Sequence, residues 1–170
     1  MAQDMINANH IVAESTNILS TNFGGGHIYS IAIAEDMDNG LLVARAEYAD
    51  NEYEDEVWNA KEYAAGDEPL LLLNPPTMPF AELQGYATED RFYNAAGDRV
   101  RAYTLRVGDR ITLSENAFDA KPEVKQYVTY DAAAKKYVVG AKDDSQFCAQ
   151  VLTKILRSNL TMYKIQVVSL

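Results

Sequence analysis

Apolar and polar residues alternate with a period of two along much of this chain, and no long helical pattern competes with that alternation. The signal is nearly continuous from Arg99 onward. "RVRAYTL", "RITLS", "KQYVTYD", "KKYVVG", "QFCAQVLTKIL" and "TMYKIQVV" follow one another across short turns. In the first of these, Val100, Ala102 and Thr104 alternate with Arg99, Arg101 and Tyr103, which predicts a strand wetted on one side. "SQFCAQVLTKILRS" also fits an amphipathic helix, but its neighbours are strands at hairpin spacing, so a strand is expected. "ENAFDAKPE" has room for a single helical turn.

The first half is less regular. Residues 1–26 hold few large apolar side chains and end in "NFGGGH", so they read as an extended N-terminal arm with a glycine hinge. "HIYSIAIAEDMDNGLLVARAEY" reads as a hairpin turning at Asn39-Gly40, a strong turn signal. In its second limb Leu41, Val43 and Arg45 share one face, with Leu42, Ala44 and Ala46 on the other. "PLLLL" (Pro69–Leu73) reads as a short buried strand. "NPPTMP" then forbids helix, because proline lacks an N–H and restricts the residue before it. Short strands spaced about 8–12 residues apart predict an all-β protein, an antiparallel β-barrel or sandwich. Residues 27–170 form its β-rich domain, with an acidic subregion at 27–90 and a barrel-like one at 91–170.

Three Gly-Asp pairs, Gly66-Asp67, Gly97-Asp98 and Gly108-Asp109, each precede a predicted strand. Glycine tolerates positive φ, and aspartate can accept hydrogen bonds from nearby backbone amides. Turn duty is therefore expected of all three, not a shared ligand or metal site.

Charge refines this picture. The net charge of −10 is unevenly placed: residues 1–90 carry 17 Asp/Glu and 2 Lys/Arg, residues 91–170 carry 8 and 13. An acidic half argues against a nucleic-acid partner, and the basic half has no polybasic tract. Such a bipolar chain either docks onto complementary surfaces of neighbouring copies or of a partner, or folds both halves into one mixed surface. No apolar run is long enough for a membrane helix, and the first residues lack the basic and apolar regions of a secretory signal. The single cysteine, Cys148, lies in an apolar run and reads as a small buried hydrophobe. The eleven tyrosines, all from Tyr29 onward, suit strand edges and interfaces.

Candidate chemistry is sparse. His10 and His27 stand in no recognisable nucleophile motif. Two histidines and one cysteine fall short of the four ligands of a structural His/Cys zinc site, and a site of three ligands plus water would need all of them. "DMDNG" (Asp36–Gly40) resembles the start of a calcium loop, but Gly40 comes one position early, so a turn is expected. Gly24–Gly26 precede a strand rather than a helix, against a phosphate loop. The acid run Asp50, Glu52, Glu54, Asp55, Glu56 reads as a solvated loop, with cation binding as the alternative. No catalytic, cofactor-binding or metal residue is assigned, and no enzyme activity is expected.

The "VGD" step at Val107–Asp109 is shared with biotinyl and lipoyl carrier domains, but no lysine here sits on the Met-flanked hairpin tip those domains modify. Residues 97–168 instead resemble the capsid decoration (cement) proteins of tailed bacteriophages. The likeness is carried by "VRAYTLRVGDRITLSENAF", "KQYVTYDAAAKKYVVG" and "FCAQVLTKILRSNLTMYKIQVV". It implies a structural virion protein on the outside of an icosahedral capsid, bracing contacts between capsomers. Its partners would be the major capsid protein and neighbouring copies of itself, as a homo-oligomer on the lattice. It would pass through the host cytoplasm before assembly. The arm at 1–26 would then add a strand to a neighbour. The alternative from another class is a carbohydrate-binding β-sandwich using Trp58 and exposed tyrosines as stacking platforms.

Overall fold

The computed structural model describes residues 10–21, 26–49, 56–75, 92–157 and 160–170. Eleven strands occur among them. Five of these, β2 (Ile28–Ala32), β3 (Leu42–Tyr48), β4 (Val57–Glu62), β5 (Leu70–Leu72) and β6 (Arg99–Thr104), close into a barrel in the order β2-β4-β3-β5-β6. The other six form an open sheet in the order β1-β7-β11-β10-β8-β9. They are β1 (Ala13–Asn17), β7 (Arg110–Ser114), β8 (Tyr127–Asp131), β9 (Lys136–Gly140), β10 (Cys148–Arg157) and β11 (Leu160–Ser169). The all-β reading is correct. So is strand rather than helix for Cys148–Arg157, and "ENA" (Glu115–Ala117) forms the single 3-10 turn that the sequence had room for.

The barrel is built from the acidic half, whereas residues 91–170 supply one barrel strand and five sheet strands. This differs from the barrel-like subregion expected at 91–170. Alternation marks which face of a strand is wet but says nothing about its pairing partners. Of the described residues, those of the barrel portion (26–49, 56–75, 92–105) carry nine Asp/Glu and four Lys/Arg. Those of the sheet portion (10–21, 106–157, 160–170) carry eight and ten, so the charge asymmetry persists in the fold.

Two further expectations change. β2 and β3 do not pair as a hairpin, because β4 lies between them, parallel to β2 and antiparallel to β3. The chain after β2 keeps company with the approach to β6: the Gly97 N–H donates to the Ile33 carbonyl at 2.8 Å, and Met37 and Asn94 exchange backbone hydrogen bonds of 2.9 Å. Asn39 then donates to and accepts from the Asn74 backbone at 2.8 and 2.9 Å. The Asn-Gly turn thus serves long-range contacts. The arm differs as well, since its described part lies in the chain's own sheet. β1 pairs with β7, and Ile11, Val12 and Ile18 are buried on either side of it. Three β-branched side chains are few, but they sit where the core needs them.

Register places Ile31, Val43, Leu70, Leu72, Val100 and Ala102 on the barrel's inward side, all buried. Leu71 points the other way beside Leu42, which explains why "LLL" is buried on both faces. An aromatic seam joins barrel to sheet. Ring centroids of Tyr63 and Tyr130 are 6.3 Å apart, those of Tyr130 and Tyr137 5.2 Å, and those of Tyr137 and Phe147 5.9 Å. Phe118 links Tyr137 to Tyr163. These four tyrosines are buried in the chain's own core, not at its edges, because their hydroxyls find partners inside. The Tyr137 hydroxyl donates to the Gly40 carbonyl at 2.6 Å, and the Tyr63 hydroxyl accepts from the Phe147 N–H at 2.9 Å.

Burial pushes the Tyr130 and Tyr137 phenols well above their usual value, and those of Tyr63 and Tyr163 upward. The fold therefore holds these protons after the unfolded chain has begun to lose them near pH ~10. Stability is retained below that pH and falls as pH rises beyond it, by about 1.4 kcal/mol per pH unit for each tyrosine still protonated in the fold. Urea midpoints measured between pH 8 and 11 should drop steeply above about 10, and Tyr130→Phe should flatten the slope. An unchanged midpoint across that range would contradict the burial assignment.

The three Gly-Asp pairs have one geometry. Gly66, Gly97 and Gly108 take φ of +93°, +89° and +99° at the third position of a turn. The Asp that follows donates its N–H to the carbonyl three residues back, while its carboxylate accepts that residue's own N–H. The residues so clamped are Ala64, Ala95 and Arg106. Asp109 does more. It is buried, and its second oxygen accepts the Leu19 N–H at 2.9 Å, tying the N-terminal segment to the sheet.

Candidate functional site

β10 and β11 are ten residues each and pair along their whole length, from Cys148↔Ser169 to Arg157↔Leu160. On its other side β10 is covered only briefly. β8 pairs with Cys148–Gln150, and Val151 exchanges backbone hydrogen bonds with Lys125 and Gln126 at 2.8 and 2.9 Å. From Leu152 to Arg157 no described strand lies alongside. That stretch carries the exposed Lys154 and Leu156, the latter 69% exposed, and Arg157 is held by Glu14. An open edge presents N–H and C=O groups to any incoming strand, and lysine on it discourages indiscriminate pairing.

A second surface lies at one end of the barrel. Tyr29, Arg45 and Trp58 share the inward side there by register. The Arg45 guanidinium carbon sits 4.7 Å from the Tyr29 ring centroid and 4.4 Å from that of Trp58. Tyr48 meets Trp58 edge-on at 5.2 Å, and His27 stacks on Tyr29 at 5.8 Å. The sequence pointed to Trp58 as a stacking platform. One face of its ring is instead covered by Arg45, which shares the inward side of β3 with Val43.

A third candidate is a pocket of about 320 Å³ beside the N-terminal segment. His10 Nδ1 lies 2.7 Å from Asp38 Oδ1, the other Asp38 oxygen accepts the Ile11 N–H at 3.0 Å, and the imidazole stacks on Tyr93. A His-Asp pair of this kind can orient an imidazole as a base. The lining, however, includes no serine, threonine or cysteine for it to activate. Lys135 is paired with Glu35, and the Lys136 ammonium donates to the Asn116 carbonyl. The pair's evident work is to fix where the chain enters the sheet.

The remaining sequence candidates fall as follows. Asp36 accepts the Ala96 N–H at 2.8 Å, so the "DMDNG" oxygens are engaged by the protein itself. Among the described residues no three His, Cys, Asp or Glu side chains converge as metal ligands. Asp50, Glu52, Glu54 and Asp55 lie outside the described residues, as do Gly24 and Gly25, and Glu56 is exposed. Cys148 is fully buried and burial pushes its thiol pKa up, as suits a packing residue. No helix among the described residues is long and apolar enough to cross a membrane. No protein-family model, curated protein or solved structure matches the chain.

Proposed function

We propose that this chain is a structural virion protein that binds the outer surface of an icosahedral phage capsid and stabilises contacts between capsomers. The observation that carries the reading is the open edge of β10 over Leu152–Arg157, which lies within the region resembling decoration proteins. A strand from the major capsid protein or from a neighbouring copy can extend the sheet there, with Leu156 as an apolar contact. The acid-rich barrel and base-rich sheet favour ordered, oriented neighbours on a lattice. Strand donation by residues 13–17 fits less well, because β1 already occupies β7 of its own chain. The protein's place is then the capsid surface, reached from the host cytoplasm.

Co-sedimentation with preformed shells of the cognate phage is the test. The wild-type chain should pellet with shells and remain in solution without them. Leu156→Glu should keep stability within about 0.5 kcal/mol of wild type, as surface changes do, and weaken shell binding at least tenfold. A chain that never pellets with shells has some other function.

A further inference from the structure

We propose that Asn39-Gly40 is a deamidation site that the native fold holds shut, reacting only in chains whose junction between barrel and sheet has opened. The proposal does not depend on the capsid reading. Asn39-Gly40 is the only Asn-Gly step in the chain. Asparagine is thermolabile, and a following glycine leaves the backbone nitrogen least hindered because it carries no Cβ. In the reaction the Gly40 nitrogen attacks Asn39 Cγ. A new N–C bond closes a succinimide ring and the bond from Cγ to the side-chain nitrogen breaks. That nitrogen leaves as ammonia, with the proton given up by the Gly40 N–H. Water then opens the ring at either carbonyl to leave aspartate or isoaspartate, with no oxidation or reduction.

The fold engages both partners of that step. The Gly40 N–H, whose proton must be lost, is donated to the Leu72 carbonyl of the barrel at 2.7 Å. The Asn39 carboxamide is buried, and its Nδ2 donates to the Asn74 carbonyl at 2.8 Å. Its Oδ1 accepts from the Asn74 N–H at 2.9 Å and from Asn94 Nδ2 at 3.2 Å. The Gly40 carbonyl accepts the Tyr137 hydroxyl at 2.6 Å, so barrel and sheet grip this residue together. The ring can close only after these bonds part, which requires local opening of the junction. The product does not fit the place it left. Aspartate has no N–H for the Asn74 carbonyl, so two acceptors would face each other there, and a buried carboxylate would join Asp36 and Asp38. Isoaspartate adds a methylene to the main chain and shifts Gly40 off Leu72 and Tyr137. Deamidation therefore marks chains that have been open and keeps them from closing again.

The test incubates wild-type protein at mildly alkaline pH, folded in buffer and unfolded in urea, and reads conversion at residue 39 by peptide mass spectrometry. The folded chain should convert at least tenfold more slowly than the unfolded one. Tyr137→Phe keeps the ring but removes the hydroxyl that grips Gly40. It should raise the rate in buffer and leave the rate in urea unchanged. Asn39→Asp carries the product from the start and should unfold at lower urea than wild type. Equal rates for folded and unfolded wild type would overturn the proposal. So would a Tyr137→Phe rate that stays unmoved in buffer while its urea midpoint falls, since conversion would then proceed without opening. An Asn39→Asp chain as stable as wild type would overturn the exclusion of the product. None of these readouts involves capsid shells, so the deamidation site and the capsid reading stand or fall independently.

Discussion

Gly40→Ala is expected to destabilise the fold by roughly 3 kcal/mol, combining the left-handed backbone penalty with overpacking. Gly40 has φ +86°, and an added Cβ would lie 2.7 Å from Leu113 Cδ2 and 2.8 Å from Ala13 Cβ. Leu113 is fully buried on β7, and Ala13 is its cross-strand partner on β1, so neither atom can retreat without disturbing the sheet. The Gly40 N–H also donates to the Leu72 carbonyl of the barrel at 2.7 Å. One glycine therefore touches both barrel and sheet. Gly66→Ala is the natural control. Its φ is +93°, but nothing lies within 4 Å of the added Cβ, so it should cost only about 1–2 kcal/mol from backbone strain. For a chain of this size the Gly40 change should lower Tm by about 6–12 °C. Equal losses at the two positions would show that close packing at Gly40 contributes nothing.

Tyr137 should be the most sensitive side chain of the seam. It is fully buried, contacts Phe118, Tyr130 and Phe147, and donates to the Gly40 carbonyl. Tyr137→Ala removes the ring from the centre of the aromatic chain and should cost about 3–5 kcal/mol, the range for deleting a large buried aromatic side chain. Tyr137→Phe keeps the ring and removes only the hydroxyl, for about 1–2 kcal/mol. Urea unfolding of the two variants separates packing from hydrogen bonding. If Tyr137→Phe costs as much as Tyr137→Ala, the hydrogen bond to Gly40 and not the ring packing holds barrel to sheet. A double variant with Gly40→Ala should be non-additive, since both changes act on one contact.

Much of this was legible before any coordinates. The alternation in "RVRAYTL" located β6 and its wet face, because a strand's two faces are set by its own residues. The three Gly-Asp pairs announced turns, because positive φ and an aspartate three residues beyond the amide it clamps are local requirements. The burial of Cys148 followed from its apolar neighbours. The candidate sites were far less visible. Arg45 reads as one exposed cation in a strand, and only closure of the barrel brings Tyr29, 16 positions earlier, and Trp58, 13 later, to its two sides. The open edge of β10 likewise depends on β8 ending its pairing at Gln150, which no feature of the β10 sequence encodes.

Local sequence sufficed for most of the strands, β1 and β4 excepted, for their wet and dry faces and for the three Gly-Asp turns, since each depends on side-chain alternation or backbone preference within a few residues. Tertiary structure alone decided that β4 separates β2 from β3, that the N-terminal segment pairs with β7, and that four tyrosines join barrel to sheet. Those outcomes come from competition among distant segments for the same core, in which Ile11, Val12 and Ile18 gain more by burial beside β7 than in an extended arm.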